Sequence, residues 1–206
     1  MTGIGILAYG SLISDPGAEI YPLIVRRINT TTPFPVEYAR LSGTRGGAST
    51  VVPHSSGQPV KAEVLVLTES VLFEEAKNLL WRRETHKVGS DHIYRDSTSP
   101  NAVVIRDEPG FCGLNHILYT DFNLAGKLSV PDPKELAKAA VKSVTQAGHG
   151  KDGISYLMDL INKGVETALT PQYQKEILAL THTSCLADAL ASLRSETQGG
   201  ISDGQS

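Results

Sequence analysis

The chain opens on Gly3-Ile-Gly-Ile-Leu-Ala-Tyr9, a short, almost wholly apolar run that stops at Gly10-Ser11. This is the pattern of a buried strand opening into a loop, so the first strand delivers Tyr9 to that loop. Residues 15 to 32 contain Pro16, Gly17 and Pro22, show no clean period and receive no element. Val36 to Leu41 alternates and reads as a strand, as do Ala48 to Pro53 and Val60 to Thr68, where Val60, Ala62, Val64 and Val66 share one face. Ser42 to Gly47 is the turn between the first two of these, and His54 to Gln58 the next loop. Thr68 is placed as the N-cap of a helix carrying Leu72, Phe73, Ala76, Leu79 and Leu80 at helical spacing. That helix runs to Arg82-Arg83-Glu84, with Glu84 near its C-terminal end.

After a turn-rich stretch, Ala102 to Arg106 and His116 to Thr120 read as strands separated by Glu108-Pro109-Gly110. Asp132-Pro133-Lys134-Glu135 joins an N-cap, a proline at the first helical position and an acidic third position, and Gly148 closes that helix. A helix from Ile154 to Lys163 stops at Gly164. A last one begins at Thr170-Pro171 and carries Tyr173, Ile177 and Leu180 onward towards Leu193. Strands first and helices later define an α+β fold. One domain is expected over residues 1–193. The Ser-, Gly-, Gln- and Asp-rich segment 194–206 is too poor in apolar residues to order and is expected as a disordered tail.

Composition and charge narrow the function. A chain of 206 residues, 40% hydrophobic and 20% charged, buries a sizeable core without staples. The 19 basic and 22 acidic residues leave a net charge of −3, which offers no field for a phosphate backbone, so nucleic acid is not an expected partner. No apolar stretch approaches the ~20 residues that span a bilayer, so no membrane partner is expected. The N-terminus shows neither the basic region nor the cleavage site of a signal peptide. Cys112 and Cys185 stand alone, which suits reduced thiols in a cytoplasmic protein. A small molecule is the expected partner, and the oligomeric state is left open.

Several motifs resemble chemistry and have plainer readings. Gly148-His-Gly-Lys-Asp-Gly153 matches the dinucleotide spacing but follows a helix, which makes it a helix-to-helix turn. Gly3-x-Gly5-x-x-Ala8 lies inside a strand pattern, where no phosphate could be cradled. The six histidines show no metal-ligand spacing, so no metal is expected. His182, Ser184 and Cys185 fall on the last expected helix with no orienting acid in view.

Two features carry more weight. Tyr9-Gly10-Ser11-Leu12 sits where a buried strand ends, so backbone N–H groups there can point at a carboxylate or an oxyanion. In Leu79-Leu-Trp-Arg-Arg-Glu84 a carboxylate closes an apolar helical face. Near a helix C-terminus it meets an unfavourable dipole and needs a cation, which Arg82 or Arg83 can supply. The Tyr-Gly-Ser loop after a first strand and a glutamate at a helix end, with β segments between them, resemble the γ-glutamylcyclotransferase superfamily. Arg83-Glu84, with the later Ala147-Gly-His-Gly-Lys-Asp-Gly-Ile-Ser-Tyr-Leu157, is most similar to its glutathione-specific branch, and the resemblance extends over about residues 4 to 180. The loop Thr44-Arg45-Gly46-Gly47-Ala48 departs from that branch.

The resemblance implies a small, mostly antiparallel, barrel-like sheet with packed helices and a helical C-terminal third. It implies release of 5-oxoproline from a γ-glutamyl substrate, glutathione among the candidates, without metal or cofactor. Glu84 would be the general acid and base, and Tyr9, Gly10, Ser11 and Leu12 would bind the substrate. Two alternatives accompany it: the same ring closure on a γ-glutamyl amine or another γ-glutamyl metabolite, and a non-catalytic binder of the same fold. An exposed Glu84 paired with Arg83 favours the binder, and a buried one beside Tyr9 favours catalysis.

Overall fold

The computed structural model of the protein describes residues 3–199. In chain order its elements are β1 (Ile4–Ala8), β2 (Ile24–Thr31), β3 (Val36–Leu41), β4 (Ser49–Pro53), β5 (Lys61–Leu67), α1 (Phe73–Glu84), β6 (Val103–Asp107), β7 (His116–Phe122), α2 (Pro133–Gln146), α3 (Gly153–Asn162), α4 (Thr170–Thr181) and α5 (Leu186–Gly199). The fold is α+β. The chain divides into two compact units, one formed by the residues up to Val36 together with Pro59–Lys127, the other by Glu37–Gln58 and the residues from Leu128 onward.

The first unit is built on a five-stranded sheet in the order β2-β5-β1-β7-β6. The apolar β1 lies at its centre, antiparallel to β5 with Leu7 opposite Val64, and parallel to β7 with Gly5 opposite Ile117. The outer pairs β2/β5 and β6/β7 are antiparallel. Ile6 and Ala8 of β1, Leu65 and Leu67 of β5 and Leu118 of β7 form a core with Ala76, Leu79 and Leu80 of α1. The helical spacing of those three residues thus turns one face of α1 onto the sheet.

Three expectations are corrected here. The sheet is open, with β2 and β6 as its edges, so among the described residues there is no closed barrel. Barrel closure needs a ladder between the outermost strands, and here each has a neighbour on one side only. Next, residues 24–31, read as irregular, form β2. It is an edge strand whose side chains are all exposed or half-buried, so Arg26, Arg27 and Asn29 are tolerated and no alternating apolar signal appears. A register shift between Ile24 and Arg26 breaks the period further. Finally, α1 begins at Phe73 with Leu72 as N-cap and no side-chain cap bond. The Thr68 carbonyl instead accepts the N–H of Val71 in a turn before the helix.

In the second unit β3 and β4 form a two-stranded sheet joined by a tight turn through Gly43–Arg45. Tyr38 of β3, Leu136 of α2, Ile154 and Leu157 of α3 and Tyr173 of α4 are almost wholly buried. Asp132 caps α2 by accepting the N–H groups of Lys134 at 2.8 Å and Glu135 at 3.1 Å. Residues 148–152 form the turn between α2 and α3, where Asp152 accepts the N–H of Ser155 at 2.7 Å and caps α3. Ser143 Oγ accepts the Gly153 N–H at 2.8 Å, and a Cβ on Gly153 would lie 2.6 Å from the Ala48 Cβ. That glycine is a close-packing device.

The long helix expected after Thr170 is two helices. His182 adopts the left-handed conformation, φ +54°, and ends α4. His182, Ser184 and Cys185 therefore lie in the α4–α5 connection, where Cys185 Sγ accepts the Asp188 N–H at 3.4 Å. Cys112 and Cys185 are free and exposed. α5 continues to Gly199, and Arg194 pairs with Asp152 at 3.2 Å. The rest of the segment expected as a tail, residues 200–206, lies outside the described residues.

Candidate active site

The first unit brings the two sequence motifs together through one side chain. β1 ends at Ala8, and the chain passes through Tyr9 and Gly10 into a short 3-10 turn over Ser11–Ile13. Leu12 is buried in the core beneath this turn, which anchors the loop. Among the described residues, the backbone N–H groups of Gly10, Ser11 and Leu12 donate to no protein acceptor. They are available to an anion.

Glu84 is the last residue of α1, as expected, and its side chain is 20% exposed. The Arg83 guanidinium donates through Nη1 to Glu84 Oε1 at 2.5 Å and through Nη2 to Ser11 Oγ at 3.0 Å. Nη2 and Nε also donate to the Asp15 carbonyl oxygen, at 2.6 and 3.1 Å. The Asp15 carboxylate stands further off, 3.8 Å from Nη2, and is exposed. The compensating cation at this helix end is therefore Arg83. Arg82 faces elsewhere, pairing with Glu19 at 3.0 Å and donating to the His92 carbonyl.

Tyr9 is buried, and its hydroxyl donates to the Thr120 carbonyl at 2.9 Å. The phenol proton is thus directed into the protein. The Tyr9 ring meets Phe34 edge-on at 5.8 Å, and Phe34 lies 4.4 Å from the ring of Tyr119, giving a half-buried aromatic wall on the Tyr9 side. Burial and the nearby Asp121 and Glu108 carboxylates raise the Tyr119 hydroxyl above the ordinary tyrosine value, so it stays protonated at neutral pH.

All five residues expected at the site lie in this unit. Ser11 and Glu84 share the Arg83 guanidinium, Leu12 supports the turn from below, and Tyr9 carries the aromatic wall. The residues that sequence reasoning missed are Asp15 and Gly17. The first contributes a main-chain oxygen, and the second lies 2.9 Å from Arg83 Cγ when a Cβ is built on it. Their only sequence signal is the turn Asp15-Pro16-Gly17. A surface depression of about 500 Å³ shares Asp15 and Gly17 with this cluster and extends to Tyr21 and Pro22, without including Tyr9, Ser11 or Glu84.

The arrangement combines a carboxylate acceptor, a fixed guanidinium, a serine hydroxyl whose hydrogen is available and a run of unpaired N–H groups. Such a set can bind an anionic group and move a proton. Among the described residues, no group of three His, Cys, Asp or Glu is placed to hold a metal ion, and no helix is long and apolar enough to cross a membrane.

No family model and no curated protein matches the chain. Among solved structures it is similar to the crystal structure of a γ-glutamylcyclotransferase specific to glutathione from yeast. The TM-score is 0.48 and the identity 15%, with 95% of this chain and 99% of that chain covered.

Proposed function

We propose that the protein is an enzyme of the γ-glutamylcyclotransferase type, which releases 5-oxoproline from a γ-glutamyl substrate with Glu84 as general acid and base. The observation that carries this reading is the Arg83 guanidinium, which holds Glu84 and reaches Ser11 of the Tyr9–Leu12 loop, 72 positions earlier in sequence. The reaction needs only one substrate molecule. Its α-amine, once deprotonated, attacks its own γ-carbonyl carbon, and a new C–N bond closes a five-membered ring. The tetrahedral intermediate then collapses with cleavage of the original γ C–N bond and departure of the attached amine. Because the nucleophile is tethered, the protein has to fold the substrate, stabilise the oxyanion and move protons.

Glu84 takes the proton from the attacking nitrogen and returns it to the leaving nitrogen. The N–H groups of Gly10, Ser11 and Leu12 receive the α-carboxylate or the developing oxyanion, and Tyr9 walls the site. Glutathione is the first substrate to test. A γ-glutamyl amine or another γ-glutamyl metabolite undergoes the same ring closure.

One observation favours a second reading. Glu84 is paired with Arg83 at 2.5 Å, as in a binder that holds an amine without turning it over, although its side chain is half-buried. One experiment separates the two. The protein is incubated with glutathione and a panel of γ-glutamyl peptides and amines, and 5-oxoproline is measured by mass spectrometry against Glu84→Gln. Release by the wild type and not by the variant supports the enzyme. Ligand binding without release supports the binder.

A further inference from the structure

We infer that Arg83 is a positioning residue: the Ser11–Gly17 segment holds its guanidinium so that it fixes Glu84 through Oε1 and leaves Oε2 as the oxygen that carries the proton. The kinetic part of this inference rests on the proposed ring-closing reaction, whereas the structural part does not.

Consecutive helical residues project about 100° apart and do not face each other. A bond from Arg83 to Glu84 is therefore not what a helix end provides by default, and something has to draw the guanidinium across. The segment after β1 does so. Three of the five guanidinium hydrogens go to it, one from Nε and one from Nη2 to the Asp15 carbonyl and one from Nη2 to Ser11 Oγ. This occupies the Nε edge and turns Nη1 towards Glu84 Oε1. One oxygen, Oε1, is anchored, and the other, Oε2, is left without a protein donor among the described residues.

Gly17 makes this geometry possible in two ways. Its φ of +87° lies in the left-handed region, and a Cβ there would stand 2.9 Å from Arg83 Cγ. Any larger residue strains the turn and pushes on the arginine stem. Lysine cannot substitute for the arginine, because an ammonium lacks the planar fork that reaches Ser11, Asp15 and Glu84 together.

The test compares wild type with Arg83→Lys and Gly17→Ala, with Glu84→Gln as the catalytic control and far-UV circular dichroism as the check on folding. With whichever γ-glutamyl compound yields 5-oxoproline, Arg83→Lys is expected to lower kcat by about 10- to 100-fold. KM stays within roughly threefold, because the contact that is lost positions the base and does not touch substrate. Gly17→Ala is expected to lower kcat about tenfold in the same pattern. Wild-type kcat in both variants, alongside a dead Glu84→Gln, overturns the positioning role and leaves the reaction standing.

If the wild type releases no 5-oxoproline, the reaction fails and a second measurement decides the inference alone. The ¹⁵N-detected Arg83 Nε–H signal, assigned by its loss in Arg83→Lys, is expected to exchange slowly in wild type and fast in Gly17→Ala. Exchange in wild type as rapid as in an exposed arginine, or no change in Gly17→Ala, overturns it. Should Arg83→Lys not fold, Gly17→Ala carries the kinetic measurement and Arg83→Gln, which also lacks the guanidinium, assigns the Nε–H signal.

Discussion

Two glutamates, one in each unit, show how a carboxylate becomes structural or chemical. Glu37 in β3 is fully buried, and both its oxygens accept backbone N–H groups, Oε1 from Tyr38 at 2.9 Å and Oε2 from Leu169 at 3.1 Å. Full burial keeps it from any ligand, and the carboxylate ties β3 to the start of α4. Glu84 in the other unit is 20% exposed and has one oxygen held by Arg83, while the other meets no donor among the described residues. Complete satisfaction fixes a fold, whereas a deliberately incomplete shell leaves a group able to act.

Removing the two carboxylates should therefore have opposite signatures. Glu84→Gln is expected to lower the rate of 5-oxoproline release by about 10²- to 10⁴-fold while the melting temperature hardly moves. Undiminished turnover, measured by mass spectrometry, would remove Glu84 from the mechanism. Glu37→Gln places an amide NH2 against a backbone N–H that then has no acceptor, and is expected to cost about 2–3 kcal/mol in a urea titration. A loss under about 1 kcal/mol would mean that Glu37 is not the tie its geometry describes.

The same contrast separates two glycines. Gly17 faces a flexible arginine stem at the site, and Gly153 faces Ala48 and Ala140 in the packed interior. Gly153→Ala is expected to destabilise by about 1–2 kcal/mol through overpacking, read by thermal unfolding, with kcat of the folded protein unchanged. Gly17→Ala, in contrast, is expected to lower kcat about tenfold and to cost about 1–2 kcal/mol through its left-handed backbone.

The smallest effect concerns two buried tyrosines, Tyr38, next to Glu37, and Tyr173, whose ring lies 5.0 Å from that of Tyr38. Burial holds the Tyr38 and Tyr173 hydroxyls well above the ordinary tyrosine value, with neighbouring Tyr156 adding to both. Below about pH 10 these hydroxyls are neutral in the folded and unfolded states alike, so their full contribution is present. Above it the unfolded chain releases protons that the folded one retains, and stability falls by up to about 1.4 kcal/mol per pH unit for each hydroxyl. The Tyr173 hydroxyl has no hydrogen-bond partner among the described residues. Tyr173→Phe should thus change stability at pH 7 by no more than about 0.5 kcal/mol and flatten the alkaline decline by one proton. An unchanged alkaline slope would contradict the burial argument.

Much of this architecture was open to sequence reasoning, and the exceptions share a cause. β1 and β5 showed because their faces are buried and apolar, and α2 showed because Asp132, Pro133 and Glu135 write its start in local chemistry. β2 did not, since an edge strand with exposed side chains carries no apolar period. The break at His182 was hidden because leucines before and after it continue a helical count that the backbone does not follow. The barrel expected from resemblance alone is an open sheet. Glu37 passed unnoticed within an alternating strand, because its partners include Leu169, far away in sequence.

The sequence by itself determined the α+β class, most element positions and the two motifs, since hydrophobic periodicity, capping residues and turn formers act over a few neighbouring positions. Only the tertiary structure decided which of two adjacent arginines serves Glu84, that Asp15 contributes its main-chain oxygen and that Gly17 must leave room. Those outcomes depend on distances between segments about 70 residues apart, and the direction of a side chain across such a gap is settled by packing.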